Sequence, residues 1–147
     1  MAACCKAGAI CATDNSDRHE QAYKIGYQTG IAFQLRDDMI DFMPSSHSGK
    51  PQCNDIKEHK ATLPIIITLQ DSDTDTKKEL LTLLQKKEFN DNDIARIAAT
   101  VLQSGALEEV RRQMNEILNQ ALQSLSSMPN NRYRDGMSKL IESLKEY

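Results

Sequence analysis

Four polar side chains just before residue 42 have the types and the spacing to do chemistry. In Phe33-Gln34-Leu35-Arg36-Asp37-Asp38-Met39-Ile40-Asp41, taking Gln34 as position i puts Asp37 at i+3, Asp38 at i+4 and Asp41 at i+7. On a helix all four leave the same face, while Ile31, Leu35, Met39 and Phe42 mark the opposite, apolar one. Like charges at i,i+4 repel by about 0.2–0.5 kcal/mol per pair. An anion in the last turn of a helix loses about 0.3–1 kcal/mol more to the helix dipole. Pro44 follows closely and cannot continue a helix, so the three carboxylates stand where a helix least favours them. A bound cation offsets that cost. Carboxylate oxygens suit a hard ion, and Mg2+ is held by one or two carboxylates together with phosphates and waters. A plain solvated acidic helix end is the alternative. Downstream come Gly49-Lys50-Pro51, Asp55, Lys60 and Thr62. Glycine lets backbone approach an anion and lysine binds phosphate as a point charge, so Lys50 and Lys60 after such a stripe suggest a cradle for a diphosphate.

The elements that would carry these residues read as helices almost throughout. Asp17 followed by Glu20 predicts the start of a long helix that runs to about Phe42. Gly26-x-x-x-Gly30 lies upstream of the acidic stripe on that helix. Such a pair says that another helix packs closely there, which would hold the acidic end inside a bundle. Met1 to Ala12 reads as the second half of a core helix, and Ser45 to Asn54 as a polar loop. Leu63-Pro64-Ile65-Ile66-Ile67-Thr68-Leu69 is strand-like by propensity. No second strand signal exists to pair with it, so it is read as a buried helix with Pro64 in its first turn. Further helices follow from Thr74, from the Asn90 to Asp93 cap to Gly105, from Leu107 to Leu125, and across Tyr133, Met137, Leu140, Ile141 and Leu144. The expectation is all-α, about seven helices, in one domain or part of one.

Composition narrows the function classes. With 18 Lys+Arg against 21 Asp+Glu the net charge is −3, which argues against nucleic acid as a partner. No apolar run approaches the length of a membrane span. Cys4, Cys5, Cys11 and Cys53 form no CxxC pair and no zinc knuckle, so reduced structural thiols and a cytoplasmic location are expected. Asp71-Ser72-Asp73-Thr74-Asp75 lacks the glycine and glutamate of a calcium loop and is expected to cap the helix after it. His19, His47 and His59 have no paired nucleophile and receive no role.

The run from Gly30 to Phe42, then Gly49-Lys50-Pro51, then Asp55-Ile56-Lys57-Glu58-His59-Lys60-Ala61-Thr62-Leu63-Pro64, resembles the trans-isoprenyl (polyprenyl) diphosphate synthase family. The likeness is to its second aspartate-rich motif, FQ-x-x-DD-x-x-D, and to its GKP and D-x-x-x-x-K-x-T-L-P segments. The resemblance implies a helical bundle, the C-terminal portion of the isoprenoid synthase fold. It implies that Asp37, Asp38 and Asp41 hold Mg2+ against an allylic diphosphate, and that Lys50 and Lys60 contact that diphosphate. It puts Gln34 beside the same site and Phe33 near the isopentenyl diphosphate pocket. The implied reaction is head-to-tail condensation of isopentenyl diphosphate with an allylic diphosphate through a carbocation, the aspartates holding metal rather than moving protons. The family's first aspartate-rich motif, its upstream basic residues and an earlier Lys-Thr pair are not in this sequence. The chain therefore corresponds to the C-terminal part of such an enzyme and is expected to be inactive alone. A non-catalytic helical subunit, associating with its own copies or another chain through an exposed helical face, is the alternative.

Overall fold

The computed structural model describes residues 1–43 and 53–146. Every regular element among them is a helix: α1 (Ala2–Ala12), α2 (Ser16–Ile40), α3 (Asn54–Lys57), α4 (Leu63–Asp71), α5 (Thr74–Leu84), α6 (Asp91–Gln103), α7 (Ala106–Ser126) and α8 (Arg132–Ser143). The short α3 is the one that periodicity could not announce, since a single turn has no period. The chain packs as two compact units, Met1–Arg36 with Arg112–Tyr147, and Asp37–Arg111.

Local side-chain chemistry sets most of the helix ends. Asp73 accepts from the amides of Asp75 and Thr76 and so caps α5, which is the fate expected for the Asp71–Asp75 run. Asn90 and Asp93 form a reciprocal capping box on α6. Pro64 sits in the first turn of α4, where its missing N–H costs nothing. After α6 the chain turns at Gly105, φ +78°, a left-handed conformation that glycine takes freely. One cap differs from expectation. Asn15, and not Asp17, closes the start of α2, its Oδ1 accepting from the amides of Asp17 at 2.9 Å and Arg18 at 3.2 Å. Asp17 lies in the first turn, where a carboxylate favours the positive end of the dipole.

In the first unit α1 lies against the glycine face of α2. A Cβ placed on Gly26 would fall 2.7 Å from Cys5 Sγ and 3.0 Å from Ala2 Cα, so only glycine admits this approach. The close neighbour that the Gly26/Gly30 pair requires is therefore α1. However, α1 has no buried residue, so it covers the core instead of entering it as expected. The core is Ile25 and Ala32 of α2 with Met114, Leu118, Ala121 and Leu125 of α7, and Ile141 and Leu144. Burying each large aliphatic side chain contributes about 1.5–3 kcal/mol. Tyr133 and Leu140, expected on the apolar stripe of α8, are exposed, and the Arg132 guanidinium lies over the Tyr133 ring. Ile31, expected on the apolar face of α2, is also exposed.

In the second unit α4, α5 and α6 pack on one another around buried Ile65, Leu80, Ile97 and Val101. The strand-like segment is indeed helical, since β-branched side chains are tolerated where burial holds them and no described strand could pair with it. Thr68 turns its hydroxyl back to Pro64 O at 2.8 Å and lies 2.9 Å from Ser104 Oγ, which satisfies a fully buried polar group. Asp93 is held by Lys86 Nζ at 2.6 Å. That contact first, and then the Asn90 amide, keeps its carboxyl below the ordinary carboxylate range.

Candidate functional site

The acidic end of α2 lies in the second unit from Asp37 onward. Met39 and Phe42 anchor it, both fully buried, so the helix cannot roll without exposing them. That fixed rotation leaves Asp37 half-buried and buries Asp38 and Asp41, at 9% and 8% exposure. These are not the solvated ends of an acidic surface helix. Buried charges persist only when partnered, and the partners of Asp41 are clear. Its Oδ1 accepts from the Asn54 amide at 3.0 Å and its Oδ2 from the Asp55 amide at 2.9 Å. Its main-chain carbonyl accepts from the Cys53 amide at 2.8 Å.

Those contacts bring α3 to the end of α2, and an open cleft of about 250 Å³ forms between them. Its walls are Asp37, Asp41, Asn54, Asp55, Glu58 and Lys60. Lys60 Nζ sits 2.7 Å from Glu58 Oε2 and 3.1 Å from Asp55 Oδ1. Hydrogen bonds to Glu58 first, and then to Asp55, push its ammonium above the ordinary lysine range. It therefore stays charged at any physiological pH. Among the expected site residues, then, Asp37, Asp41 and Lys60 share one cleft. Asp38 is buried beside it but does not line it. Phe33 and Gln34 are exposed and belong to the first unit. Lys50, with Gly49 and Pro51, lies outside the described residues.

Asp55 and Glu58 stand in the segment on which the family resemblance rests, and the sequence gives neither of them a role in the site. The usable signal was the Asp55-to-Lys60 spacing, which puts an acid one turn of chain before the lysine. Cys53, between the two elements, is buried. Burial first, and then the nearby Asp41 carboxylate, push its thiol up, so it stays protonated and behaves as packing. Of the other thiols Cys5 packs on Gly26, but Cys4 and Cys11 are exposed, so the structural role expected of all four fits only two.

The cleft's electrostatics decide what it accepts. Among the described residues four carboxylates face a single ammonium, an arrangement that repels a bare polyanion and attracts a hard cation. Among the described residues no three His, Cys, Asp or Glu side chains come together as a complete ion cage. Oxygen donors of this kind fit Mg2+, which completes its shell with waters and phosphates and not with protein groups alone.

Comparison with known proteins gives the same direction. A family model described as polyprenyl synthetase matches residues 1–102. A probable hexaprenyl pyrophosphate synthase, mitochondrial, of Neurospora crassa is 31% identical over 96% of this chain and 31% of its own length. A polyprenyl synthase from Caulobacter crescentus CB15, solved with calcium and isoprenyl diphosphate, superposes with a TM-score of 0.89 at 26% identity, over 99% of this chain and 45% of that one. A geranylgeranyl pyrophosphate synthase from Corynebacterium glutamicum, solved with isoprenyl diphosphate and magnesium, gives 0.78 at 26% identity, over 90% of this chain and 38% of that one. The chain spans less than half the length of the curated relatives it matches. Among the described residues no helix is long and apolar enough to cross a membrane.

Proposed function

From the premise that the chain belongs to the polyprenyl synthetase family, we propose that it supplies the allylic diphosphate half of a prenyl-transferring site. The observation that carries this reading is the single cleft that joins Asp37 and Asp41 to a permanently charged Lys60. Mg2+, when bound, neutralises charge on the departing diphosphate. Asp37, with Asp38 and Asp41 behind it, gives the cleft the negative field that draws the ion in and orients it. Lys60 is held by Glu58 and Asp55, and it meets the diphosphate oxygens that the ion brings with it. Lys50 is proposed as a second ammonium on the same group. The aspartates act as anions throughout and move no proton. Loss of diphosphate breaks the allylic C–O bond, and its electron pair leaves with the diphosphate. The double bond of isopentenyl diphosphate attacks the carbocation, a C–C bond forms, and a proton is lost. Charge that grows on a leaving group is stabilised best by groups fixed beforehand, which is the service this cleft provides. Gln34 and Phe33 are proposed beside the substrates, on the same helix and one to two turns upstream.

Calorimetric titration of the chain with inorganic diphosphate tests the reading. Binding is expected with Mg2+ present and not without it, and the same heat in both conditions would overturn it. These 147 residues alone are expected to condense nothing, because the family's other aspartate motif is not among them. Turnover by the isolated chain would refute that. A second reading, assembly with its own copies or with another helical chain, draws on the exposed Ile10, Tyr27 and Phe33, and light scattering across a concentration series tests it. The mitochondrial address in the Neurospora relative's name means that family membership by itself does not fix the cytoplasm as the compartment.

A further inference from the structure

We propose that Asp41 is a positioning residue, one that assembles the cleft by gripping main-chain amides and leaves the ion-facing task to Asp37. This deepens the reading above and rests on it for the identity of what binds. Three consecutive amides end on this one residue: Cys53 on its carbonyl, Asn54 on Oδ1 and Asp55 on Oδ2, at 2.8, 3.0 and 2.9 Å. The left-handed backbone of Cys53, φ 63° and ψ 36°, is what starts α3 there, and Cys53 provides no side-chain cap of its own. Asp41 therefore caps α3 from 13 residues away. Charge-assisted hydrogen bonds of this kind are the strong ones, and at 8% exposure little water competes for them.

What the clamp fixes is the reach of Lys60. Asp55, seized by its amide, returns its own carbonyl to the Lys60 amide at 2.8 Å and its carboxylate to the Lys60 ammonium. The sequence Asp41, Asp55, Lys60 is thus one continuous chain of polar contacts. It begins just past the end of α2 and ends on the cationic group of the cleft. Asp37 and Asp41 differ by one helical turn and share a face, yet the first is half-buried on the cleft and the second is spent on backbone.

The test uses the 147-residue chain and amide hydrogen exchange read by NMR, first with no metal or diphosphate. In Asp41→Ala the Asn54 and Asp55 amides are expected to exchange roughly 10- to 100-fold faster. Asp41→Asn, close in shape, is the variant that decides the matter if the alanine variant does not fold. It keeps one acceptor oxygen, so one of the two amides is expected to stay protected. Asp37→Asn is expected to leave both untouched. Calorimetry with Mg2+ and inorganic diphosphate is the second arm, and there Asp41→Asn is expected to lose roughly tenfold in affinity and Asp37→Asn all measurable binding. Two outcomes overturn the proposal: both amides keep wild-type protection in Asp41→Asn, or an amide loses protection there while affinity for Mg2+ and diphosphate stays at the unaltered chain's level. Absence of binding in the unaltered chain sinks the diphosphate reading alone, because the exchange arm contains no ligand.

Discussion

Two sets of aspartates in the second unit sit at opposite ends of helices, and they behave as opposites. Asp73 and Asp93 stand at the starts of α5 and α6, accept the amides left open there, and are drawn below the ordinary carboxylate range. Each is explained by the helix it begins. Asp37, Asp38 and Asp41 close α2, where the same dipole works against them, and no cap in α2 itself asks for them. Asp41 finds its reason 13 residues away in α3. Asp37 faces a cleft with a lysine on its far wall. Acids that a helix needs are structural, and acids that a helix tolerates belong to something else.

Substitutions in the two sets should therefore separate stability from binding. The largest effect is expected at Asp37→Asn, with affinity for Mg2+-diphosphate falling by more than about 100-fold, a loss far larger than any change in the urea midpoint. Lys60→Met is expected to weaken the same titration about tenfold, with the midpoint unmoved. Its ion pairs lie in solvent, where such pairs contribute little. On the other side of the comparison, Asn90→Ala removes the reciprocal cap of α6 and should cost about 1 kcal/mol in urea unfolding, with diphosphate affinity intact. The smallest effect is the acid limb. Asp73 and Asp93 titrate lower in the folded chain than in the unfolded one. Their contribution is therefore complete above the unfolded value near 3.9 and is lost as pH falls through the folded values. Thermal melts from pH 6 to pH 2.5 should fall only below about pH 4, and Asp93→Asn should flatten that fall. A loss of stability at Asp37 to match its loss of binding, or a loss of ligand binding at Asn90, would erase the distinction.

How much of this could be read from sequence follows the range of each interaction. Helix ends were legible because caps act over three residues: Asp73, the Asn90/Asp93 pair, Pro64 and Gly105 all do what their types demand. The start of α2 was misread within the run Asp14-Asn15-Ser16-Asp17, where four neighbours are all competent caps. Asp37, Asp41 and Lys60 were legible as a set through spacing and family likeness. Asp55 and Glu58 were not, because their place in the cleft depends on Asp41 reaching across to α3, and nothing in periodicity encodes that contact. Tyr133 and Leu140 fell on a correct stripe and still lie in solvent. A stripe states which side chains share a direction and is silent on what covers them.

The contact between Cys5 and Gly26 has a practical consequence. Cys4 and Cys11 are open, whereas Cys5 is pressed on glycine in the first unit and Cys53 is buried in the second. An alkylating reagent should find Cys4 and Cys11 at once, half-buried Cys5 more slowly, and Cys53 only when its surroundings part. The slow pair therefore forms a built-in stopwatch: one hand times the lifting of α1 and the other the release of α3. Breathing of each half can be clocked separately in the unaltered chain by mass spectrometry, with no dye and no engineered label.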